Sequence, residues 1–103
     1  MTDEQKRKCR EILNHYGKTA QLRQLIEECA ELIQAAAKYN RVTNDGEKQN
    51  LIAYQHLCEE LADVMIMTEQ IRQSVNDNMV QAYINAKLDR QLGRIADEQS
   101  KRA

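Results

Sequence analysis

Two acidic clusters carry the residue types best suited to holding a hard cation: Glu27-Glu28-Cys29-Ala30-Glu31 and Glu59-Glu60-Leu61-Ala62-Asp63. On a helix, residues three apart share a side about one turn along, so Glu28 pairs with Glu31 and Glu60 with Asp63. If the two helices pack antiparallel, these four carboxylates converge. Left empty, such a cluster is repulsive, because like charges held close in partly dry surroundings destabilise the fold. A divalent cation that prefers oxygen ligands, Mg²⁺ with Mn²⁺ as a substitute, removes the conflict. An isolated pair of acids on a surface helix is ordinarily a solvated face. Two such pairs on two apolar-rich helices weigh against that. The acids also lack basic partners four residues on, where Leu32, Val64 and Met67 follow Glu28, Glu60 and Asp63, so surface ion pairing is not their purpose.

The elements that must position these acids are helices. Leu22, Leu25, Ile26, Cys29, Leu32, Ile33 and Ala36 recur at three- and four-residue spacings, predicting a core-facing stripe on a helix over about 19–39. Tyr54, Leu57, Cys58, Leu61, Val64, Met65, Thr68 and Ile71 predict a second, over about 51–75. Gln21, Gln24, Glu28 and Glu31 fall along one border of the first stripe, and His56, Glu60 and Asp63 along a border of the second; borders face a cleft between helices. A shorter helix over 3–15, closed by Gly17, precedes them, and a fourth over about 78–96 follows, with a frayed tail from Asp97. The stretch 40–50, containing Asn44-Asp45-Gly46, is the only convincing loop of any length. The expectation is one all-α domain over 1–103, a four-helix bundle-like fold with two long central antiparallel helices.

Composition agrees. The chain of 103 residues has no Pro, Trp or Phe and only three Gly, which suits long helices and a single core. Fifteen basic and sixteen acidic residues give a net charge of −1, arguing against a nucleic-acid partner. No apolar run approaches the ~20 residues of a bilayer span and the N-terminus lacks a signal region, so no membrane partner and a cytoplasmic location are expected. Cys9, Cys29 and Cys58 have no CxxC spacing and read as small buried hydrophobes, with thiolate ligation of a softer metal by Cys29 and Cys58, beside the acidic clusters, as the lesser alternative. A di-iron bundle would need Glu-x-x-His on two helices, and neither His15 nor His56 follows a Glu at that spacing.

The run Gln21-Leu22 through Ile26-Glu27-Glu28-Cys29-Ala30-Glu31-Leu32, followed by Glu59-Glu60-Leu61-Ala62-Asp63-Val64, resembles the EExxE…ExxD signature of the MazG-like all-α nucleoside triphosphate pyrophosphohydrolases. Dimeric dUTP pyrophosphatases and dCTP pyrophosphatases share that superfamily. The resemblance covers roughly residues 12–95. It implies hydrolysis of a (d)NTP to the monophosphate and pyrophosphate, with nucleotide-pool house-cleaning as the role. Glu28, Glu31, Glu60 and Asp63 would be the Mg²⁺ ligands, and Glu27 a metal-proximal or water-orienting acid. Asn85-Ala86-Lys87-Leu88-Asp89-Arg90 is similar to the segment in which that family places a Lys and an Arg.

Lys87, Arg90 and Arg94, at three- and four-residue spacings, are candidates for phosphate binding, against the bland reading of a solvated basic face. Gln21, Gln24, Asn85 and Tyr83 are the candidates for holding base or ribose. Related enzymes often sandwich the base with Trp or Phe, which this chain lacks, so Tyr16, Tyr39, Tyr54, Tyr83, His15 and His56 are the stacking candidates and no base is singled out. A homo-oligomer is expected, because two broad apolar stripes exceed what one copy covers, and the resemblance implies a homodimer or homotetramer. The rival to the enzyme is a catalytically idle helical interaction or regulatory module in an oligomer.

Overall fold

The computed structural model describes residues 1–42 and 47–102 as four helices: α1 (Asp3–Tyr16), α2 (Lys18–Val42), α3 (Glu47–Gln73) and α4 (Asp77–Arg102). The chain is all-α, and no strand occurs among the described residues. Thr2 caps α1 in a reciprocal box: its hydroxyl accepts from the Gln5 backbone N–H at 3.1 Å, while the Gln5 side-chain Oε1 accepts from the Thr2 backbone N–H at 2.8 Å. Gly17 ends α1 at φ 90°, a conformation that favours glycine, and its N–H donates to the Leu13 carbonyl at 2.8 Å. The chain then re-enters a helix at Lys18 without a loop.

α2 and α3 form the centre, and their side chains fix the antiparallel sense. Gln21 near the start of α2 donates through Nε2 to Gln70 Oε1 near the end of α3 at 2.8 Å. At the other end, the rings of Tyr39 and Tyr54 lie 6.2 Å apart. The inward line of α2 runs through Gln21, Leu25, Glu28, Leu32, Ala35 and Tyr39, and that of α3 through Ala53, Leu57, Glu60, Val64, Met67 and Gln70. Steps of three and four make each a coiled-coil-like seam, α3 closing with two successive steps of three. Three of these core positions hold a polar side chain that is buried: Gln21, Glu60 and Gln70, the last only 1% exposed. Gln21 thus lies in the core and not on a border.

The Gln21–Gln70 bond sets the register of the pair, since slipping α2 by one turn would leave both amides unpaired in the core. Gln70→Ala is therefore expected to cost about 2 kcal/mol in urea unfolding, by stranding the Gln21 amide. Replacing both glutamines by Leu should recover much of that loss, because an apolar pair strands nothing.

α1 packs across α3 and, less extensively, α2. Cys9 is buried in that contact, with Sγ 3.9 Å from the Ile66 carbonyl, and Gln73 Nε2 donates to the Lys6 carbonyl at 2.9 Å. Burial pushes the Cys9 thiol pKa up, with Glu69 adding to the rise. At the α3–α4 bend, Asn76 caps α4 by accepting from the Met79 amide, and Arg72 reaches both Asp77 and Gln81.

Several outward positions differ from expectation. Leu22, Ile26, Ile33 and Ala36 of the α2 stripe are exposed, as are Tyr54, Cys58, Leu61 and Met65 of the α3 stripe. The physical reason is that both helices are apolar over more than one face, and α1 and the α2–α3 seam cover only part of that circumference. Of the cysteines only Cys9 is buried; Cys29 is half-buried and Cys58 exposed. α4 continues helical to Arg102 in place of the expected fraying, since Glu98, Gln99 and Lys101 are good helix formers and nothing after Ala96 breaks the helix. α2 and α3 likewise take in the flanks of the expected 40–50 loop, and its centre, 43–46, lies outside the described residues. From residue 85 onward α4 is exposed along its whole length, and among the described residues it touches no helix but α3. The radius of gyration, 17.7 Å, far exceeds the ~13 Å of a compact chain of this length.

Candidate metal centre

The register that pairs Gln21 with Gln70 also brings the acids together. Seven residues along α2 from Gln21 is Glu28; seven back along α3 from Gln70 is Asp63, and Glu60 is one turn further. One carboxylate oxygen from each of Glu28, Glu60 and Asp63 lies within 4.8 Å of the others. Glu60 is 7% exposed, and Glu28 and Asp63 are half-buried.

The hydrogen bonding of these carboxylates is one-sided. Gln24 Nε2 donates to Glu28 Oε1 at 2.8 Å, and His56 Nε2 lies 3.2 Å from Glu60 Oε1. The other oxygens, Glu28 Oε2 and Glu60 Oε2, are buried and have no hydrogen-bond partner. Buried carboxylate oxygens nearly always accept something. Oxygen-only donors, two of them desolvated and unpartnered, fit a hard divalent cation. Ligands about 2.1 Å from Mg²⁺ span at most roughly 4.2 Å across the ion, so small side-chain rotations close the set.

The fourth expected ligand, Glu31, is exposed and lies outside the group of three, as do the exposed Glu27 and Glu59. On α2 the inward place after Glu28 is taken by Leu32, and Glu31 beside it is turned to solvent. No cysteine joins the group, so the thiolate alternative gains nothing from the geometry.

Comparison with protein-family models, curated proteins and solved structures returned no match. The chemistry of the chain therefore stands on its own residues.

Gln21 and Gln24, expected to meet a nucleotide, have their amide donors engaged by Gln70 and Glu28. Tyr83, Asn85, Lys87, Arg90 and Arg94 are all exposed on α4, which does not touch α2. The rings of Tyr39 and Tyr54 meet at a tilt of 52°, and His15 packs edge-on against Tyr16. An apolar groove of about 490 Å³ between α1 and α3, lined by Cys9, Ile12, Met65 and Ile66 among others, contains none of the acids. Gln70 and the contact from His56 to Glu60 were missed in the sequence. The signal was present: residues 21, 28, 60 and 70 hold polar side chains three or four residues from apolar neighbours in the same seam.

Proposed function

We propose that this chain is a Mg²⁺-dependent nucleoside triphosphate pyrophosphohydrolase, cleaving a (d)NTP to the monophosphate and pyrophosphate in a cytoplasmic nucleotide pool. The observation that carries the reading is the pair of buried, unpartnered oxygens of Glu28 and Glu60 beside Asp63. The choice of reaction rests on the order of the two acidic motifs, which resembles the MazG-like enzymes.

In this reading Glu28, Glu60 and Asp63 would hold the ion. Once bound, Mg²⁺ offsets triphosphate charge and makes a water molecule more acidic. Glu27 and Glu31, exposed beside the three, are the carboxylates free to orient that water and accept its proton. Phosphate oxygens also want cations, which Lys87, Arg90 and Arg94 would supply. Because α4 meets only α3 among the described helices of its own chain and is exposed along its whole length from residue 85 onward, those cations would come from a second copy. A homodimer or homotetramer is thus part of the same proposal.

The exposed apolar stripes favour one second reading, a helical interaction module whose acids are idle. Pyrophosphate release from a panel of canonical and modified (d)NTPs, in Mg²⁺ and in EDTA, separates the two. The expected result is Mg²⁺-dependent release from at least one nucleotide. Silence across the panel from folded protein would transfer the reading to the interaction module.

A further inference from the structure

Two of the three carboxylates, Glu28 and Glu60, are each met by a side-chain nitrogen of their own helix at the same spacing. Gln24 precedes Glu28 by four residues and donates to its Oε1 at 2.8 Å; His56 precedes Glu60 by four and approaches its Oε1 at 3.2 Å. Helical side chains lean toward the N-terminus, so a residue at i+4 naturally meets the one at i. His56 is exposed and Glu60 buried, while Gln24 and Glu28 are both half-buried. In both pairs the gripped oxygen is Oε1, and Oε2 is left buried with no partner. Two helices running in opposite directions thus repeat one local device.

We propose that Gln24 and His56 are positioning residues, each fixing the rotation of one carboxylate so that its free oxygen is presented to a divalent cation. The proposal rests on the metal reading of Glu28, Glu60 and Asp63, and it gives Gln24 a role different from nucleotide contact. Without the grip a carboxylate can swing to share its oxygens with solvent, and ordering it again weakens ion binding. Partners that orient metal ligands commonly contribute about 10–100-fold to affinity.

Mn²⁺ binding, followed by the loss of the free-ion EPR signal, tests this without any need for turnover. Gln24→Met and His56→Phe keep bulk but remove the donor, and each should weaken Mn²⁺ binding by about tenfold. The reciprocal variants Gln24→His and His56→Gln restore an N–H at the same spacing and should bind within about threefold of the unaltered protein. Circular dichroism confirms that each variant is folded.

If Gln24→Met and His56→Phe bind Mn²⁺ as tightly as the unaltered chain while Glu60→Gln does not bind, the positioning role is wrong and the metal site stands. If the reciprocal variants bind as weakly as the donorless ones, an N–H at this spacing is not what matters, and the proposal fails. If the unaltered chain binds no Mn²⁺, the metal reading falls and takes this proposal with it.

Discussion

Glu60→Gln is expected to abolish divalent-cation binding and pyrophosphate release while making the cation-free protein more stable. The two effects share one cause. Glu60 occupies a core position of the α3 seam, between Ala53 and Met67, yet its Oε2 has no partner and the carboxylates of Glu28 and Asp63 lie beside it. A buried polar atom without a partner costs about 1–3 kcal/mol. An amide of the same shape keeps an oxygen for His56 and turns an N–H₂ toward the neighbouring acids, converting repulsion into hydrogen bonding. The gain should be about 1–2 kcal/mol, or several degrees in Tm for a chain of this size. Ion binding responds in the opposite sense, because a direct anionic ligand is lost. The loss should exceed the roughly 10–100-fold seen for an orienting partner.

Thermal unfolding in EDTA and in Mg²⁺ reads both effects at once. In EDTA the variant should melt above the unaltered protein. In Mg²⁺ at a hundred times its Kd, the unaltered protein gains about 2.7 kcal/mol by mass action and the variant gains nothing, so the order reverses. Curves that keep the same order in both solutions, with no response to Mg²⁺, would mean that the acids do not form a cation site.

The helices and their acids were legible in the sequence because apolar periodicity reports on them directly. The ending of α1 at Gly17 follows from spacing, and the approach of Glu28 to Glu60 and Asp63 follows once α2 and α3 pair antiparallel. What spacing did not disclose is which apolar face turns inward. On α2, Leu25 and Leu32 point toward α3 while Ile26 and Ile33, one position on, point out, and both pairs repeat at seven residues. Hydropathy ranks Ile above Gln, so Gln21 reads as a border residue and Ile26 as core, whereas the structure assigns them the reverse. The deciding interaction is non-local: Gln21 is satisfied in the core only because Gln70, on another helix, meets it. Glu31 failed to join the cluster for a related reason, since a three-residue step keeps two side chains neighbours without keeping both on the inward line.

The second large effect concerns those outward apolar faces, and it is expected in light scattering: a mass of at least twice 12.0 kDa for the unaltered chain, falling to one copy for Ile33→Glu. A folded monomer of this mass ordinarily exposes about 6,000 Å². This chain exposes 8232 Å², a surplus of roughly 2,200 Å². Obligate homodimers bury about 1,000–2,500 Å² per subunit, so the surplus matches one such interface. Its composition matches as well. Ile26 and Ile33 on α2 are 70% and 69% exposed, and Leu88, Leu92 and Ile95 form an exposed row on α4 that no other described helix of its chain covers.

A charge at Ile33 costs the isolated chain little, because exposed substitutions stay within about 0.5 kcal/mol. Between two copies the same charge is buried without a partner, at several kcal/mol, and twofold symmetry places it there twice. Leu92→Glu applies the same logic to α4. If α4 of one copy brings Lys87, Arg90 and Arg94 to the acids of the other, Leu92→Glu should lower pyrophosphate release along with the mass, while leaving Mn²⁺ bound at Glu28, Glu60 and Asp63. A monomer at micromolar concentration before any substitution would leave the basic residues of α4 with no route to the acids, and the shared site would have to be abandoned.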